Sequence, residues 1–152
     1  MKSKLTLALL LIFVAASVQL TGQTRRRNRV VPMVPVGTDL KARLNNTLSS
    51  DSSNIGDRFT MTVIMPQSFE AASLNGHISS IRKGSASTSM TLAFDSIELR
   101  DGTRSTLQGR VTRVYGIGLI VGGAGGAGSL AVRGGKSLKI ESGTEMLVRV
   151  TR

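Results

Sequence analysis

Val36-Gly37-Thr38-Asp39-Leu40-Lys41-Ala42-Arg43-Leu44-Asn45 is the stretch on which the fold turns. Leu40, Ala42 and Leu44 alternate with Lys41 and Arg43, and period two over a short run marks a strand with one face buried. Near the other end, Ser142-Gly143-Thr144-Glu145-Met146-Leu147-Val148-Arg149-Val150-Thr151 repeats the pattern Gly-Thr-acid-apolar-x-small/apolar-Arg-apolar-polar. In each copy Gly-Thr-acid makes a turn and the alternation makes a strand. The two ends of the domain are therefore expected to pair, or to take related places in one sheet. The alternative is coincidence in a short window.

The residues between them read the same way. Arg58 to Met65 alternates with Phe59, Met61, Val63 and Met65 inward, and Pro66 stops it. Asn75-Gly76 carries a turn signal ahead of a weaker strand, His77 to Arg82, and a glycine- and serine-rich loop follows from Lys83 to Thr88. Met90 to Leu99 is the longest strand candidate and meets Arg104 to Val114 across Asp101-Gly102, a strong hairpin signal. Five aromatic residues (four Phe, one Tyr) and 17 glycines leave the core to Val, Leu, Ile and Met and favour many turns. The fold class is all-β: a small antiparallel barrel or sandwich over residues 36–152, preceded by an N-terminal signal helix.

That signal occupies residues 1–22. Lys2 and Lys4 precede an apolar run from Leu5 to Val18 broken only by Thr6 and Ser17. As a helix this run spans about 21 Å, short of a hydrocarbon core of about 30 Å. It fits the core of a cleaved secretory signal better than a permanent anchor. Ala15 and Ser17 offer one −3/−1 pair of small residues and Leu20 and Gly22 a poorer one, and cleavage after Gly22 is the favoured expectation. The chain has no cysteine, which excludes disulfides and the acylated cysteine of a lipoprotein.

The formal charge of +11 suggests a nucleic-acid binder until it is located. Lys2 and Lys4 belong to the signal, and Arg25, Arg26, Arg27 and Arg29 lie in a basic, proline-bearing extended linker, residues 23–35. This cluster is either a solvated linker or a contact with an anionic membrane surface or another polyanion. Nucleic acid is disfavoured, because no aromatic residues are interleaved with the charges to stack on bases.

Residues 114–132 are uncharged and glycine-rich. On a helix Gly118, Gly122 and Gly126 form one stripe where another backbone can approach, as in membrane helix packing or self-association. Each glycine costs about 1 kcal/mol in a helix in water, so an insertion that is helical in lipid, a helical hairpin, and a glycine loop joining two strands all stay open.

The opening strand, the glycine segment and the closing Gly-Thr-Glu strand together resemble exported bacterial proteins that combine a β-domain with a glycine zipper. More distantly, residues 36–44, Ser49-Ser50-Asp51 and Phe94-Asp95-Ser96-Ile97-Glu98-Leu99-Arg100-Asp101-Gly102 resemble the periplasmic β-barrel domain of the TrbI-type scaffold of type IV secretion channels. The resemblance covers roughly residues 36–114 and implies a periplasmic barrel. The chain lacks that scaffold's proline-rich spacer and larger barrel insertions.

Catalytic patterns are weak. His77 is the one histidine and no Gly-x-Ser-x-Gly elbow accompanies it. Carboxylates that could serve a zinc site are scattered. Gly134-Gly135-Lys136-Ser137 lacks the earlier glycine of a phosphate loop, where Leu130 stands. Asp51, Asp57, Asp95, Glu98 and Asp101 could supply a glycosidic acid pair, but turn positions account for several of them. The expected protein is a non-enzymatic exported one of the periplasm or outer envelope, whose β-domain binds or scaffolds envelope components. Its partner would be an envelope protein, an anionic membrane surface or a second copy, with no cofactor and no identified small-molecule substrate. A secretion-channel-like subunit and an envelope hydrolase are the alternatives.

Overall fold

The computed structural model describes residues 34–116, 119–122, 128–133 and 135–152. The signal segment 1–22 and the linker with Arg25, Arg26, Arg27 and Arg29 lie outside them, as do Gly118 and Gly126.

Alternating sequence becomes strand almost throughout. In chain order these are β1 (Asp39–Leu44), β2 (Leu48–Ser49), β3 (Arg58–Met65), β4 (Ser73–Lys83), β5 (Ser87–Glu98), β6 (Arg104–Thr106), β7 (Gly109–Tyr115), β8 (Leu119–Gly122), β9 (Gly128–Arg133), β10 (Lys139–Ile140) and β11 (Glu145–Val150). The main sheet is antiparallel and strongly curled into a half-barrel, in the order β7-β11-β1-β3-β4-β5-β9-β8, with β6 beside β5. β2 and β10 form a separate ribbon whose Leu48 and Ile140 join the same core.

The two Gly-Thr-acid copies lie side by side. β1 pairs with β11 through Leu40↔Val148 and Ala42↔Met146, all four buried. The ends of the pair are related as by a twofold axis. Gly37 N–H donates to the Val150 carbonyl while Gly143 N–H donates to that of Leu44, and Val150 N–H reaches Thr38 as Leu44 N–H reaches Thr144. Gly37 and Gly143 hold φ of +87° and +91°, a region that glycine enters without penalty.

Three expectations change. Asn75-Gly76 is no turn but lies inside β4, with Gly76 opposite Phe59 on one side and Phe94 on the other. The missing side chain lets the two rings meet over it, edge to face with centroids 5.6 Å apart. Met65 is 59% exposed, because the β1–β3 register shifts between Lys41 and Ala42 and sets Met65 against outward-facing Lys41. Arg104 to Val114 is two strands: β6 pairs with β5 across Asp101-Gly102 as the hairpin signal implied, while β7 crosses to β11. In the glycine-rich segment the described residues 119–122 and 128–133 are extended and pair antiparallel.

The curl brings β9 against β7. A Cβ at buried Gly128 would lie 2.5 Å from the Val111 nitrogen, so one glycine of the segment serves strand-to-strand approach. Val34 is buried ahead of the first strand.

Candidate functional site

The outward residues of β7, β11 and β1 form one charged face, built in cross-strand rows. Tyr115, Glu145 and Arg43 make the first row, Arg113, Leu147 and Lys41 the second, and Arg110, Arg149 and Asp39 the third. Strict alternation could not put both Arg110 and Arg113 outside. The β7–β11 register shifts between Leu147 and Val148, so Thr112 is the extra residue of a bulge, and Arg113 and Tyr115 then face solvent.

Each acid of the repeated motif meets the arginine of the other copy. Arg149 grips Asp39 with Nε and Nη2, both at 2.7 Å, and Arg43 lies 3.0 Å from Glu145. Lys41 Nζ adds a 2.7 Å contact to Glu145. The hydrogen bond from Arg149 holds the Asp39 carboxyl below the usual range, and those from Lys41 and then Arg43 do the same for Glu145. The Arg149 guanidinium is raised by Asp39. These groups stand at the surface, where solvent screens such pairs and they contribute little to stability, so their main effect is to hold the register of β1 against β11.

What the pairs leave over is positive. The face carries Lys41, Arg43, Arg110, Arg113 and Arg149 against Asp39 and Glu145, an excess of three charges. Neither Arg110 nor Arg113 meets a carboxylate among the described residues. Tyr115 stands between cations, with Lys41 Nζ 4.7 Å and the Arg113 guanidinium carbon 5.9 Å from its ring centroid. Half-buried Leu147 and exposed Met65 extend the middle row with apolar surface. Such a face can take phosphate-bearing surfaces: cations for the anions, with an amphipathic ring and apolar side chains for the layer beneath.

Of the residues singled out from sequence, Gly122 is in β8 opposite Ser129. A strand advances about 3.3 Å per residue, so residues 119–122 do not supply the helical turn that a Gly118-Gly122 stripe needs. No described helix is long and apolar enough to cross a membrane. His77 Nδ1 lies 3.0 Å from Asp95. Asp51 binds Lys83, Glu98 binds Arg104, Asp57 takes the Asn54 N–H and Asp101 takes the Thr103 N–H. Among the described residues no three of His, Cys, Asp and Glu gather as metal ligands.

Sequence reasoning missed the face because its members come from positions 39–43, 110–115 and 145–149. The available signal was the run of cations at alternate places in the two motif copies.

Fold and face together define an all-β half-barrel with a basic, tyrosine-bearing outer surface. The chain matches no protein-family model, no curated protein and no solved structure.

Proposed function

We propose that this is a non-enzymatic exported envelope protein whose β-domain attaches to an anionic membrane surface through the β7-β11-β1 face, and so holds or scaffolds other envelope components there. The observation that carries the reading is the excess of cations around Tyr115, with Arg110 and Arg113 uncompensated by carboxylates among the described residues. The export half rests on Lys2, Lys4 and the apolar run from Leu5 to Val18. Arg25, Arg26, Arg27 and Arg29 reinforce the attraction from the linker. A basic residue near an anionic leaflet contributes about 1 kcal/mol, so the three surplus charges of the face give roughly 3 kcal/mol, too little alone, and the four linker arginines about 4 more, a sum of about 7 kcal/mol that reaches the micromolar range of reversible attachment.

Cell fractionation tests this reading. The protein should sediment with membranes in low salt and leave them in high salt, since screening weakens exposed electrostatics. Recovery in the soluble fraction at low salt contradicts the membrane contact, and retention through both salt and carbonate washes replaces it with insertion.

A further inference from the structure

A second polar site lies on the outer face of the sheet, where β3, β4, β5 and β6 run side by side. Thr60, Asn75, Ser96 and Thr106 are successive register partners across these strands. The neighbouring rows supply an arginine each: Arg58, opposite His77, and Arg104, opposite Glu98. Arg58, Thr60, Asn75, Ser96 and Arg104 line a cavity of about 160 Å³ together with Phe59 and Gly76. By the same measure a single water needs only about 10–15 Å³.

The donors of this cavity are largely uncommitted. Arg58 forms no ion pair among the described residues. Arg104 spends Nε and Nη2 on Glu98 and keeps Nη1. Thr60 Oγ1 accepts from Asn45 Nδ2, which leaves its own hydrogen to donate. The side chains of Asn75 and Ser96 have no hydrogen-bond partner among the described residues. The unpaired Arg58 guanidinium at the rim, the remaining Nη1 of Arg104, whose charge Glu98 already balances, and the hydroxyl and amide donors on the floor are groups that bind an oxyanion, through charge-assisted hydrogen bonds. The β4–β5 register shift between Asn75 and Gly76 locally breaks the even pleat beside the floor.

We propose that this cavity binds a small ligand bearing a phosphate or carboxylate on a short polar body: the oxyanion between Arg58 and Arg104, the polar body over Thr60, Asn75 and Ser96. The site is separate from the β7-β11-β1 face and does not rest on the membrane reading.

Titration of the isotope-labelled protein with glycerol 1-phosphate, inorganic phosphate and galacturonate, followed through backbone amide resonances, tests it. Saturable shifts should centre on Thr60, Asn75, Gly76 and Ser96. Arg58→Gln should weaken binding about tenfold or more, and Asn75→Leu, which fills the floor, should abolish it while thermal unfolding stays cooperative. Saturation by the phosphates alone assigns a phosphoryl ligand; saturation by galacturonate as well assigns oxyanions generally. No saturation by any probe up to about 10 mM, well past the millimolar constant reasonable for so small a ligand, overturns the proposal. So do shifts that survive Arg58→Gln unchanged, or that spread over Arg110, Arg113 and Tyr115 instead.

Discussion

Gly76→Ala probes the packing on which the sheet depends. A Cβ at this position would sit 2.3 Å from the Ala93 carbonyl oxygen and 2.6 Å from Phe59 Cζ, whereas ordinary contact begins near 3.5 Å. The ring can swing aside, but the carbonyl belongs to the β4–β5 ladder, where His77 faces Ala93, so a strand must move by about 1 Å. Overpacking of this kind costs typically 1–3 kcal/mol, and a clash with backbone belongs at the upper end, about 3 kcal/mol. At roughly 4 °C per kcal/mol for a domain of this size, Tm should fall by about 12 °C. The urea midpoint should drop by about 1.5 M at unchanged slope. Phe59→Leu in the same chain relieves the ring contact but not the carbonyl, so a double-mutant cycle should return a coupling of about 1 kcal/mol. A loss below about 0.5 kcal/mol for Gly76→Ala, within the range of an indifferent surface change, would refute the placement of Gly76 between the two phenylalanines.

Gly37→Ala and Gly143→Ala should each cost about 1–2 kcal/mol and by similar amounts, since both glycines have positive φ with open space where a Cβ would go; unequal losses by chemical denaturation would break the twofold relation. Gly128→Ala should destabilise by about 1–3 kcal/mol because its Cβ meets the Val111 backbone, and an unchanged melting temperature would remove the β7–β9 contact. Asp39 and Glu145 titrate below their ordinary values in the fold, so the stability they contribute is complete at neutral pH and lost as pH falls below about 4. Denaturation followed against pH should show that acid loss reduced in Asp39→Asn/Glu145→Gln.

The repeated Gly-Thr-acid motif was legible because it is local: the glycine sets the turn and alternation sets the strand. Their similarity allowed the two copies either to pair or to take related places in one sheet, and the antiparallel β1–β11 register is the first of these. The longest strand and the Asp101-Gly102 hairpin were legible for the same reason. Asn75-Gly76 misled because the dipeptide ordinarily marks a turn, and only the phenylalanines on the two flanking strands explain a glycine inside β4. Met65 followed the alternation of its own strand, but a bulge opposite Lys41 decided its face. In residues 114–132 the four-residue glycine spacing suggested a helix stripe, whereas the contact described there is Gly128 against the backbone of β7. The cationic face was hidden for a topological reason: β7 and β1 are far apart in sequence and become near neighbours only through β11.

Sedimentation with lipid vesicles measures the attachment itself. The purified protein should bind vesicles rich in anionic lipid, release in high salt, and ignore vesicles of neutral lipid. Arg110→Gln/Arg113→Gln should weaken that binding by roughly tenfold to thirtyfold, from about 1 kcal/mol for each lost charge, without a change in melting temperature. Equal binding to neutral vesicles, or undiminished binding by the double variant, would contradict the assignment of the β7-β11-β1 face as the membrane contact.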